Sequence, residues 1–87
     1  MRQMSKPLTV ERYREGVSVN VMKVTGLTDK ELSELNSMEY REMIDTFLTI
    51  LDQRNPNLGT CWHNGYGVYT VWINNGAVYA EIGKSCD

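Results

Sequence analysis

An α+β domain is the fold class this sequence predicts, with two or three N-terminal helices packed on a C-terminal three-stranded antiparallel β-meander. Three observations lead there. Two helix-start signatures follow each other between Leu27 and Glu39, the longest apolar stripe of the chain runs on from the second, and two Asn-Gly pairs punctuate a C-terminal region rich in β-branched and aromatic residues.

The chain reads as a single domain over 1–87, with a flexible tail at 1–8, a helical part at 9–54 and the meander at 59–83. From Thr9 to Val24 two periods compete. Val10, Tyr13, Val17, Val21 and Val24 keep helical spacing, whereas Val17, Val19 and Val21 alternate as a strand would. Thr9 as N-cap and Gly26 at a C-terminal position favour the helix, although Gly16 and the β-branched residues lower its propensity.

The next two helices rest on firmer local chemistry. The Thr28 hydroxyl can accept from the amide of Glu31 while the Glu31 carboxylate reaches back to the amide of Thr28, with Leu27 and Leu32 at the staple positions. The device recurs with Asn36 and Glu39, flanked by Leu35 and Tyr40. A short helix over about 29–35 and a longer one over about 37–54 follow. In the longer one Tyr40, Met43, Ile44, Phe47, Leu48 and Leu51 form one face, and Glu42, Asp45, Thr49 and Asp52 look away. Asn55-Pro56 ends it, because a residue before proline is pushed out of the α region.

In the C-terminal part, Asn75-Gly76 is the strongest hairpin signal, since a type I′ turn needs positive φ at both central positions. That corner sets Ile73 against Val78, Trp72 against Tyr79, Val71 against Ala80, Thr70 against Glu81 and Tyr69 against Ile82. Tyr69, Val71, Ile73, Val78, Ala80 and Ile82 then share the core face. Asn64-Gly65 predicts a second corner that pairs His63 with Tyr66, Trp62 with Gly67 and Cys61 with Val68. The strands expected are about 59–63, 66–73 and 77–83.

An 87-residue chain hides only roughly 60 to 65% of the surface its unfolded form exposes, so a homodimer or a partner has burial to contribute. No apolar run approaches the roughly 20 residues that span a bilayer, and Met1 to Val10 lacks the apolar centre of a signal peptide. The expected compartment is the cytoplasm, and Cys61 and Cys86 are expected there as thiols. Charge is uneven. Met1 to Leu27 carries five basic residues against two acids, and Thr28 to Asp52 carries seven acids against Lys30 and Arg41. An acidic helix pair argues against a phosphate backbone as its partner and for a basic protein surface.

The outer face of the predicted meander collects Cys61, His63, Tyr66, Val68, Thr70, Trp72, Tyr79 and Glu81. Rigid amphipathic rings of this kind anchor protein interfaces, so Trp72, Tyr79, Tyr66 and His63 are candidate partner-binding residues, together with Glu42 and Asp45 on the acidic helix. The competing explanation is that Trp72 and Tyr79 stabilise only their own hairpin. Single-stranded nucleic acid also stacks on aromatics, but it needs flanking cations and this sheet supplies only Lys84. Cys61 and His63 lack an orienting carboxylate and an oxyanion hole, and no metal-binding knuckle spacing occurs. Neither catalysis, a cofactor nor a metal is expected.

Thr25-Gly26-Leu27, the leucine pair Leu32 and Leu35, Glu39-Tyr40 and the stripe from Met43 to Leu51 form a pattern. Over Val21 to Leu51, about a third of the chain, it resembles the central part of small tail-assembly chaperones of long-tailed phages. The resemblance implies phage or prophage origin, hence a host-cell cytoplasmic location, and chaperone activity. Phages also encode many small inhibitors of host enzymes and defence systems, including anti-CRISPR proteins. Size, acidic helix and aromatic sheet suit that class equally well. The expectation is a small non-enzymatic phage-derived protein that binds a protein partner, first as an inhibitor of a host or defence protein. The alternatives are a tail-assembly chaperone and a small single-stranded nucleic-acid-binding protein. No membrane partner is expected.

Overall fold

The computed structural model describes residues 6–58 and 67–83. Six elements follow in the order β1 (Thr9–Glu15), β2 (Val19–Thr25), α1 (Asp29–Asn36), α2 (Tyr40–Arg54), β3 (Val68–Asn74) and β4 (Ala77–Gly83). The strands form one four-stranded antiparallel sheet in the order β1-β2-β4-β3, and both helices lie between the two hairpins in sequence. This overturns the expected architecture of helices leading into a three-stranded meander.

The main correction concerns 9–24, which forms a β-hairpin and no helix. The strand period is the one that survives, because β2 finds a partner on each side. It pairs with β1 through Val10↔Val24 and with β4 through Met22↔Ala80 and Val24↔Val78. Alternate residues Met22 and Val24 thereby reach the core, and β-branched residues suit the pleated surface they occupy. Since β4 enters between β2 and β3, the helical crossover joins two parallel strands with an antiparallel one inserted between them.

One layer of helices covers one face of this sheet. Phe47, Leu35 and Leu51 are fully buried against Val24, Val71, Val78, Ala80 and Ile82. Around that contact α1 starts as its sequence foretells. Glu31 donates its amide to Thr28 Oγ1 at 3.1 Å, and the Thr28 amide donates to Glu31 Oε1 at 2.9 Å. Arg54, in the last turn of α2, forms an ion pair with Glu31 and so ties the end of one helix to the start of the other. The second capping box does not form. Asn36 is still inside α1, whose last turn closes through the Ser37 hydroxyl on the Glu34 carbonyl. Helix α2 begins after Glu39, which makes no side-chain cap.

Ahead of β1, Leu8 is buried and its backbone is clamped by one side chain. Asn55 Oδ1 accepts from the Leu8 amide at 2.9 Å, and Asn55 Nδ2 donates to the Leu8 carbonyl at 2.8 Å. Asn55 thus acts as a one-residue strand partner at the C-terminus of α2. Asn55→Ala is expected to cost about 1–3 kcal/mol, because it leaves a part-buried amide without its acceptor. The check is a lower urea midpoint together with faster hydrogen exchange at Leu8. Nearby, Gly26 has φ 112°, and a Cβ there would stand 3.2 Å from Leu8 Cδ2. Glycine therefore both turns the chain out of β2 and lets Leu8 in.

The C-terminal hairpin forms at the foretold corner, with Asn75 at φ 49° and Gly76 at φ 80°. Its register runs Ile73↔Val78, Trp72↔Tyr79, Val71↔Ala80 and Thr70↔Glu81. Beyond Thr70 a bulge intervenes, so Val68 and not Tyr69 faces Ile82. The expected core position of Tyr69 is thereby corrected: it is the extra residue, 59% exposed, with its hydroxyl lying over Gly83. Val68 takes its place against the core instead of joining the outer face. The corner expected at Asn64-Gly65 and the strand expected at 59–63 lie outside the described residues.

Candidate functional site on the open face of the sheet

Both helices occupy the same side, and among the described residues no element lies over the other side. That open face carries a row of rings across the sheet. Trp72 of β3 stacks on Tyr79 of β4, with ring centroids 5.6 Å apart and planes 9° from parallel. Tyr13 of β1 meets the far edge of Tyr79 in a T-shaped contact at 4.9 Å. Val21, Ala77 and Tyr79 itself form a small second cluster, with Trp72 packed against it. Tyr79 is only 7% exposed, whereas Tyr13 is 56% exposed and Trp72 is half-buried. The middle ring is therefore a platform, and the two outer rings present surface to solvent.

Each ring has a local reason for its position. The Asn75-Gly76 corner sets Trp72 opposite Tyr79. Tyr13 owes its place to a bulge between Arg12 and Arg14, where β1 carries one residue more than β2 and the register shifts. Sequence reasoning misses Tyr13 as a member of this row, because a helix over 9–24 removes it from the sheet. Its alternation with Thr9 and Glu11 is the signal that could find it, and the bulge obscures that signal.

Charge on this face is mixed. Glu11 opposes Lys23, Lys23 opposes Tyr79 on its other side, and Glu81 lies between Val21 and Thr70. The β1–β2 hairpin brings to the sheet cations that the expected meander lacked, and the acids beside them balance those cations. A polyanion gains little from such a surface.

The other expected site residues fall elsewhere. Glu42 and Asp45 are exposed on α2, in the helical layer, whereas Trp72 belongs to the open face of the sheet, so the three do not form one patch. Asp45 instead lines a trough with Tyr40, Arg41, Ile44, Val68 and Tyr69 beside β3. His63 and Tyr66, like Cys61 and Cys86, lie outside the described residues. Among the described residues no three histidine, cysteine or acidic side chains gather as metal ligands, and no helix is long and apolar enough to cross a membrane.

Comparison with known proteins adds no family to this geometry. The chain matches no family model, and neither the curated proteins nor the solved structures give a significant match. The Thr25-Gly26-Leu27 step that carries part of the phage-chaperone resemblance joins a strand, not a helix, to α1.

Proposed function

We propose that this protein is a non-enzymatic binding module that holds a protein partner on the open face of its sheet. Trp72 is the anchor, and Tyr13 widens the contact. One observation carries the reading: three rings are locked edge to face and face to face on the side of the sheet that the helices leave uncovered. Rings held by one another lose little freedom on binding, which is why preorganised aromatics concentrate binding energy. The balanced charges around them favour a protein over a nucleic acid.

A small rigid domain that works by occupying a surface needs no reacting groups. The partner class we favour is accordingly a host or defence protein that this chain inhibits by occlusion, in the manner of phage-encoded inhibitors. Pull-down from infected or prophage-bearing cells tests it, with wild type and Trp72→Ala side by side. Recovery of a nuclease, polymerase or nucleotide-sensing effector by the wild type alone supports inhibition. Recovery of tail tape-measure or tail-tube protein would assign the chain to tail assembly instead. Equal recovery by both proteins would remove the open face from the reading. Tight binding of short single strands at low salt would move the assignment to nucleic acid, because electrostatic affinity is greatest there.

A further inference from the structure

The two edges of the sheet differ in chemistry. Strand β1 carries Glu11, Arg12, Arg14 and Glu15 in seven residues and is bulged, two devices that discourage pairing with another strand. Strand β3, the opposite edge among the described residues, has no charged residue from Val68 to Asn74. Its bulge lies at Tyr69, so the regular stretch is Thr70–Asn74, centred on Trp72. The direction of its free groups is marked by one hydrogen bond. Val71 donates its amide to Tyr40 Oη at 3.2 Å, away from β4, so the main chain of Val71 and, two residues on, Ile73 faces outward.

Alongside this edge runs a trough of about 370 Å³ whose lining includes Leu35, Met38, Tyr40, Met43 and Ile73, with no charged side chain. The charges in its continuation toward Val68 are Arg41 and Asp45, one of each sign. A surface that must meet its own image can tolerate such a set. Nothing in it repels itself, and a two-fold axis can bring Arg41 of either copy toward Asp45 of the other. An acidic or a basic peptide would find no net charge to complement.

We propose that the β3 edge pairs with β3 of a second copy of this chain, antiparallel, about a two-fold axis at Trp72. Val71 of each copy then exchanges backbone hydrogen bonds with Ile73 of the other, and Thr70 faces Asn74 of the second copy. Trp72 faces its own counterpart in a non-hydrogen-bonded pair, with Cα atoms about 4.5 Å apart. The two four-stranded sheets become one continuous sheet with all helices on one side. On the open side the rows of Tyr13, Tyr79 and Trp72 join end to end. Tyr40 guards the edge in the single chain, because its hydroxyl holds the Val71 amide that the second copy must take.

Sedimentation equilibrium of the full chain, from micromolar to millimolar concentration, tests this with no partner present. Its failure is therefore separate from failure of the partner-binding reading. The expected result is a concentration-dependent dimer. Thr70→Lys/Asn74→Lys places like charges opposite each other across the axis, as does Thr70→Glu/Asn74→Glu. Each variant alone is expected to be monomeric where the wild type is dimeric, and an equimolar mixture of the two is expected to regain the dimer mass. A wild type that stays monomeric at millimolar concentration, a lysine variant that still dimerises, or a mixture that does not would each overturn the proposal. Tyr40→Phe provides a test with the opposite sign. It deletes a hydrogen bond made only in the single chain, one in each copy, so the dimer should tighten about fivefold per copy, roughly twenty-five-fold in its dissociation constant. Unchanged or weaker association would overturn the register.

Discussion

Phe47→Ala is expected to destabilise the domain by about 3–5 kcal/mol, the range for emptying a buried aromatic site. Phe47 is the chain's single phenylalanine, is wholly inaccessible to solvent, and sits where α2 presses on the sheet. Its neighbours belong to different elements, among them Leu35 of α1, Val24 of β2 and Val78 of β4. Their backbones are fixed by ladders and helical hydrogen bonds, so the void cannot close by a small local shift. Domains of this size are stable by roughly 5–15 kcal/mol in all, so the loss is a large fraction of the total. The measurement is urea unfolding followed by far-ultraviolet circular dichroism. A loss below about 1 kcal/mol would mean that α2 is not seated on the sheet through this residue.

Trp72→Ala is expected to act on the other side of the sheet and in the opposite way, sparing the fold and removing the partner. Its indole contributes a stacking contact with Tyr79, worth about 0.5–1.5 kcal/mol beyond area, and is only half-buried. The hydrophobic cluster that holds the helices does not include it. As the exposed anchor of the aromatic row it should carry about 2–4 kcal/mol of binding, a fall in affinity of roughly thirtyfold to a thousandfold. Titration of wild type and variant against the recovered partner, with circular dichroism to confirm the fold, reads both quantities. A variant that unfolds, or that binds as the wild type does, would invert the assignment of faces.

The contrast between these two residues is legible in the amino-acid sequence. Phe47 belongs to the apolar stripe of the longer helix, and Trp72 is placed by a turn three residues away. Even so, the row of ring contacts is only partly legible there. Sequence reasoning includes Trp72 and Tyr79 but omits Tyr13. It also joins to them Glu42 and Asp45, which belong to α2 and not to the open face of the sheet. The face a side chain takes within one hairpin depends on parity. Which hairpins share a sheet depends on contacts far apart in sequence.

The same division separates what this sequence determined alone from what the tertiary structure decided. Thr28 with Glu31, the stripe from Met43 to Leu51 and Asn75-Gly76 act within a few residues of themselves, so the start of α1, the buried face of α2 and the register around Trp72 are properties of the local chain. The segment 9–24 has no such property. Its valines satisfy both periods, and the choice passes to β4, more than fifty residues downstream, whose open edge offers β2 a ladder of backbone hydrogen bonds and a buried face. A helix over the same residues would have left that edge of β4 unpaired. The apolar burial that Met22 and Val24 gain on the sheet, set against the small helical bias of Thr9 and Gly26, decides the fold.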